Sequence, residues 1–198
     1  MSRPVDATLR DDLLERVVTY VLQNGISDMQ LRPLAKAVGS SPRGMLYHFT
    51  SKEQLVTAVL ERAGERQRAL FETLPRDAAS YALTVRAAWS VLSAPENEGI
   101  FRLFFEVYGL ALQDPQRFPG FLERAVENWL AYLERPALRD GYAPEDARAI
   151  ATVLLAGFRG FLLDLCTTRD HRRLARAVEL WIIALDALPP PQELHDGR

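Results

Sequence analysis

Apolar residues recur at three- and four-residue intervals along almost the whole of this 198-residue chain, and runs alternating apolar with polar are hard to find. That period belongs to amphipathic helices, so the sequence predicts an all-α fold of about nine helices. With 48% hydrophobic side chains, including 9 phenylalanines and 3 tryptophans, the chain carries enough apolar mass for a packed core. No uninterrupted apolar run approaches the roughly 20 residues of a membrane span. In MSRPVDATLRDDLLERV, acids stand where a secretory signal has its apolar core, so the expectation is a cytoplasmic protein away from membranes. Cys166, the single cysteine, fits a reducing compartment and reads as a small core residue.

Turn and capping residues then place the helices. The first, about residues 6–23, carries Leu13, Leu14, Val17, Val18, Val21 and Leu22 on one face and Arg10, Asp11, Asp12, Glu15 and Arg16 on a solvated one, and stops at Asn24-Gly25. In LRPLAKAVG, Pro33 is tolerated only in a first turn, which puts the N-cap near Gln30 and leaves Leu31, Leu34, Ala35 and Val38 for the buried side. Ser41-Pro42 restarts a helix at once after Gly39, serine as cap and proline at the first helical position. This third helix ends by Phe49, since Thr50, Ser51, Glu53 and Gln54 supply capping-box registers for a fourth over about 51–74. Five further helices are expected near 77–93, 96–112, 118–135, 144–167 and 171–188, with Pro75-Arg76-Asp77 as a break in organisation. The expected organisation is a small helical N-terminal domain at 1–50, a connecting helix at 51–74, a larger helical domain at 75–188 and a flexible tail at 189–198.

Two short helices joined by a glycine-containing turn make a helix-turn-helix, whose second helix can enter a DNA major groove. The whole-chain charge of −2 argues weakly against a polyanionic partner, but charge is uneven here. From Met29 to Lys52 the chain has Arg32, Lys36, Arg43 and Lys52 and no acid at all, and a polyanion responds to local charge. On the third helix Met45, Leu46 and Phe49 fall on one side, while Arg43 with Tyr47, and Gly44 with His48, are i,i+4 pairs facing elsewhere. Arg43 can fork two hydrogen bonds to a guanine edge or clasp a phosphate. Tyr47 and His48 can donate to phosphate oxygens, Gly44 lets the backbone come close, and Lys52 offers a backbone contact. The bland alternative makes Tyr47, His48 and Phe49 core aromatics, and it is the reading adopted for Phe49.

These residues resemble the N-terminal domain of the TetR family of transcriptional regulators. The resemblance runs from about Leu9 to Leu60 and rests on Leu34-Ala35, Val38-Gly39, Ser41, Tyr47, His48, Phe49 and Ser51-Lys52-Glu53-Gln54-Leu55, with their spacing kept. It implies operator contacts at Gln30, Arg32, Ser41, Arg43, Gly44, Tyr47, His48 and Lys52. The chain departs from the family's usual Gly-Thr-Leu-Tyr ending: tyrosine stands one place late, so Leu46 occupies the usual phosphate-contacting position. At Gln30 the family usually has Thr or Ser.

In the larger part, Phe101, Phe104, Phe105 and Tyr108 at i, i+3, i+4 and i+7 form an aromatic stripe on which Trp89, Trp129 and Phe158 can converge. The stripe is either plain core or the wall of a partly apolar effector cavity, with Arg102, Glu106 and Asn128 as polar groups. The resemblance favours the cavity, because the family's effector domains commonly bind small molecules between these helices. The expected effector site is therefore Trp89, Phe101, Arg102, Phe105, Tyr108, Trp129 and Phe158. The last two helices are apolar on more than one side, and Ala156, Gly157 and Gly160 permit close approach, so both are expected to pair with their copies in a homodimeric four-helix bundle. The resemblance implies the same arrangement, and a repressor released from double-stranded operator DNA by its effector.

Two rivals remain at this stage: an all-α metabolite-binding module or enzyme whose helix-turn-helix ignores DNA, and a regulator controlled by a protein partner. Chemistry has little support. His48, His171 and His195 lie far apart, Cys166 has no evident base, and neither a His-Glu metal spacing nor a Gly-rich phosphate loop occurs, so no catalytic residue, metal or cofactor is expected.

Overall fold

The computed structural model describes residues 4–26, 30–73 and 81–187, and every regular element among them is helical. In chain order these are α1 (Pro4–Asn24), α2 (Leu31–Ala37), α3 (Pro42–Phe49), α4 (Lys52–Glu72), α5 (Tyr81–Leu92), α6 (Glu98–Gln113), α7 (Phe121–Arg139), α8 (Pro144–Thr168) and α9 (His171–Asp186). Short 3-10 turns at Pro95–Asn97 and Pro115–Arg117 precede α6 and α7. The break expected at Pro75-Arg76-Asp77 and the tail at 189–198 lie outside the described residues.

The helix starts follow the capping chemistry. Ser41 Oγ accepts the Gly44 N–H at 3.0 Å, Ser51 Oγ accepts that of Gln54 at 3.2 Å, and an Asp170 carboxylate oxygen accepts that of Arg173 at 3.0 Å. Gly25 at φ +82° and Gly39 at φ +66° end α1 and α2 in the left-handed region that only glycine enters without strain. Expectation and structure part at α7, which runs through Pro136 to Arg139 instead of stopping at Arg135. Proline removes a single amide donor in this last turn, and the fully buried Ala137 keeps the helix on course until Gly141 closes it at φ +92°.

A second difference concerns α8, which is long and apolar enough, by length and composition, to cross a membrane. Uninterrupted apolar runs miss it because Thr152, Gly157, Arg159 and Gly160 break them while costing the average little. Ile150, Leu154, Leu155, Phe158, Leu162 and Leu165 make one face of this helix, and that face is buried inside the protein.

Two compact units emerge, each made of two chain segments. The first is Met1–Ala69 with Gly99–Leu110. Leu13, Leu14, Val17, Val18 and Val21 of α1 form its core with Leu34 and Ala35 of α2, Met45 and Phe49 of α3, and Leu55 and Val59 of α4. Arg62 and Arg66 of α4 both donate to the carboxylate of Glu15 on α1. Burial pushes the Glu15 carboxyl up, but hydrogen bonds from Arg66 and Arg62 and their charges outweigh it and hold it below the usual carboxylate range.

Residues 99–110, placed by sequence in the 75–188 domain, belong to this first unit because one face of α6 takes up the end of α1. Arg102 Nη2 donates to the carbonyls of Leu22 at 2.5 Å and Gln23 at 3.0 Å, and both carboxylate oxygens of Glu106 accept the Ile26 N–H at 3.0 Å. The helices come so close that a Cβ on Gly99 would stand 2.7 Å from the Leu22 carbonyl oxygen.

The second unit is Leu70–Glu98 with Ala111–Arg198, in which α7 packs along α8, and α5 and α8 pack against α9. Arg86 of α5 donates to Glu179 of α9 at 2.7 and 3.0 Å. Trp181 lies flat against α8 where Gly157 offers no side chain. Its ring meets those of Phe158 and Phe161 at 5.3 Å, and Phe161 meets Trp89 edge-on at 6.0 Å.

Candidate nucleic-acid interface

The helix-turn-helix is built by three local devices. Gly39 turns the chain out of α2, with the Ser40 N–H donating to the Ala35 carbonyl at 2.8 Å. Ser41 and Pro42 start α3 immediately, and Met45 and Phe49, 0% and 2% exposed, dock α3 on the unit's core. With 100° per residue, Met45 and Phe49 stand only about 40° apart, so the docking face of so short a helix is narrow. Leu46, expected beside them, lies on its flank and is 40% exposed.

What α3 and its neighbours present outward is polar and cationic. Gln30, Arg32, Ser41 and Arg43 are exposed, Tyr47 is 71% exposed, and Gly44, His48 and Lys52 are half-buried. The Tyr47 and His48 rings meet edge-on at 5.1 Å, which fixes each relative to the other. A Cβ on Gly44 would stand 3.2 Å from both Ser40 Oγ and Ser41 Oγ, so glycine also protects the cap. No acidic residue occurs from Leu31 to Lys52 in this surface, and its exposed Arg, Gln, Ser and Tyr side chains are of the types that can donate to phosphates and base edges.

The seven residues expected to line an effector cavity fall in different units: Phe101, Arg102, Phe105 and Tyr108 in the first, Trp89, Trp129 and Phe158 in the second. Trp89 and Phe158 are 9% and 2% exposed and belong to the aromatic core around Phe161 and Trp181. Arg102 is engaged with α1 carbonyls. Periodicity could have paired Arg102 with Glu106 as i,i+4 neighbours, but nothing local to α6 reveals that they grip a helix end 80 positions away. A surface cleft of about 360 Å³ lies along α1 and the end of α2, between Tyr20, Gln23 and Val38.

The grip has a measurable consequence. Glu106→Ala leaves the half-buried Ile26 amide without its acceptor and should cost the first unit about 1–3 kcal/mol. Faster hydrogen exchange at Ile26, with exchange in α8 unchanged, is the expected readout; equal exchange at Ile26 would show that the contact is energetically idle.

Comparison with known proteins agrees with this geometry. Residues 21–59, from the end of α1 through α2, α3 and the first turns of α4, match the model for bacterial regulatory proteins of the tetR family. The nucleoid occlusion factor SlmA of Haemophilus ducreyi is 32% identical over 151 residues, covering 72% of this chain and 73% of that protein. The SlmA protein of Actinobacillus pleuropneumoniae serotype 5b is 28% identical over 149 residues, covering 73% and 69%. Among solved structures, a transcriptional regulator from Rhodococcus sp. Rha1 superposes with a TM-score of 0.75 at 18% identity, covering 91% of this chain and 99% of that one. A TetR transcriptional regulator from Legionella pneumophila gives 0.72 at 16% identity, covering 93% and 98%. The likeness thus extends well beyond the helix-turn-helix, and the chain belongs to the TetR family of bacterial regulatory proteins, as a DNA-binding transcriptional regulator.

Proposed function

We propose that this protein is a homodimeric repressor that reads a near-palindromic operator and releases it when a partly apolar small molecule binds. The observation that carries the DNA part is the exposed, acid-free surface of α2 and α3. Arg43, in the first turn of α3, is the base reader, because the N-terminal residues of a recognition helix reach base edges. Gln30, Arg32, Ser41, Tyr47, His48 and Lys52 position the helix on phosphates, and Gly44 lets the backbone approach.

The dimer is supported by faces of α8 and α9 that none of the described residues covers. Ala149, Val153, Ala156, Gly160 and Leu163 are exposed at spacings of four, three, four and three, and Val153 and Leu163 are 52% and 49% exposed. On α9, Leu180 and Ile183 are 70% and 64% exposed. A heptad-like stripe with small residues suits close helix pairing, and two copies of each helix make a four-helix bundle.

The effector would bind where α6 offers half-buried aromatic surface, at Phe105 and Tyr108. It acts only through unequal affinity for the DNA-competent and incompetent states. Since α6 also grips the end of α1, a ligand bound at α6 would act on the same unit that carries α2 and α3. TetR-family regulators are generally non-enzymatic DNA-binding proteins.

Selection of bound sequences from random duplex DNA tests the reading. It predicts a two-fold related consensus, with Arg43→Ala losing about 1–3 kcal/mol on that consensus and far less on random duplex. No enrichment after selection would refute it. A second reading has one observation in its favour, the likeness to SlmA across nearly three quarters of its length. Under it, the protein acts in nucleoid occlusion; chromosome-wide cross-linking would then find sites spread around the nucleoid rather than beside a few promoters.

A further inference from the structure

We propose that Arg10 of α1 is an additional DNA-phosphate contact, held in place by stacking on the last residue of the recognition helix. The Arg10 guanidinium carbon stands 5.0 Å from the centroid of the Phe49 ring. Phe49 is 2% exposed and fixes α3 to the core, so the surface beneath the guanidinium is rigid. The Arg10 side chain itself is 43% exposed, which leaves its charge available from outside. Stacking on an aromatic face orients the planar cation without using its hydrogen-bond donors.

Its acidic neighbour does not neutralise it. Asp11 is 3.9 Å from Arg10 Nη1, at the limit of an ion pair, and also lies 3.6 Å from Arg62 Nη2. Asp11 is 57% exposed, and exposed pairs of this kind are weak. Sequence alone places Arg10 on a solvated face among Asp11, Asp12 and Glu15; only the fold carries it to the end of α3.

Position decides what Arg10 reads. In a helix-turn-helix the N-terminal end of the recognition helix, α3, meets base edges, while the first helix of the pair, α2, crosses the sugar-phosphate backbone. Arg10 lies on α1, outside the pair, against the C-terminal residue of α3 and at the opposite end from Arg43. Its contact is with phosphate and adds affinity on any sequence.

This assignment rests on the DNA reading above, and the two can fail separately. Fluorescence anisotropy of the full-length protein would be measured on its selected site and on random duplex across salt concentrations, for the unsubstituted protein, Arg10→Met, Arg10→Lys and Arg43→Ala. Methionine keeps an apolar stem on the Phe49 ring without the charge, and lysine keeps the charge.

For Arg10→Met, the slope of log affinity against log salt should be shallower by about 0.9 per protomer, with the same fold-loss on both duplexes and an unchanged thermal midpoint. Arg10→Lys should retain the slope. An unchanged slope in Arg10→Met overturns the assignment, whether the midpoint falls, showing a packing role alone, or stays. Loss confined to the selected site would make Arg10 a base reader and overturn it too. If Arg43→Ala loses site preference while Arg10→Met behaves as the unsubstituted protein, only the Arg10 assignment falls. If the unsubstituted protein binds neither duplex, the DNA reading falls and takes this one with it.

Discussion

Leu180→Glu combined with Ile183→Glu is expected to give a folded monomer that no longer holds its operator. Both side chains are already more than 60% exposed in the single chain, so replacing them costs its fold little. In the bundle each would be buried against a second copy, and losing that burial forfeits on the order of 1 kcal/mol or more per side chain. Four glutamates brought together without partners add desolvation and repulsion to the loss. Light scattering should report a species near the 22.3 kDa of one chain, where the unsubstituted protein gives twice that. Operator affinity should fall by roughly 10²–10⁴, because the second half-site is no longer delivered at high effective concentration. A dimer that survives both substitutions would place the interface elsewhere.

The second large effect separates two glycines only three residues apart. A Cβ on Gly157 would stand 2.7 Å from Cε2 and Cη2 of Trp181, and that ring is wedged against Phe158 and Phe161. Gly157→Ala must therefore push α9 off α8, and overpacking of this kind costs about 1–3 kcal/mol. The proposed dimer face draws on both helices, so association should weaken as well. A Cβ on Gly160, in contrast, meets nothing within 4 Å among the described residues. Gly160→Ala should raise the subunit's own stability by about 0.5–1 kcal/mol, as alanine does inside a helix, and weaken only the proposed dimer, where a side chain would keep the helices apart. Denaturant midpoints followed by tryptophan fluorescence, taken at two protein concentrations, distinguish these outcomes.

Local signals in this chain were strong wherever a single residue type has one structural use. Pro33 and Pro42 mark the starts of α2 and α3, Gly25 and Gly39 the ends of α1 and α2, and Ser41 and Ser51 the caps of α3 and α4; all act within a few residues, so no tertiary knowledge is needed. Leu46 was misplaced because an eight-residue helix has a narrower buried face than its apolar residues suggest. The expected helix end at residue 135 falls four residues short because α7 continues through Pro136, whose cost depends on what packs beyond it, and Ala137 is buried there.

The remaining surprises are long-range. Glu106 and Arg102 grip the end of α1 across about 80 positions of sequence, Arg10 reaches Phe49 across nearly 40, and Trp181 finds Gly157 across the α8–α9 turn. Each lone residue looked like ordinary solvated charge or ordinary core. The aromatic stripe of α6 was legible as a stripe, but its partner helix was not, since periodicity states that a face is buried and never against what.

Two copies of α3, paired as proposed through α8 and α9, should read one operator. Footprinting of the dimer on its selected sequence tests that directly. Two related half-sites with centres about 34–36 Å apart, or a multiple of that spacing, should be protected on one face of the duplex, and Arg43→Ala should erase both together. Protection of a single half-site by one chain, or protection that Arg43→Ala leaves intact, would contradict it.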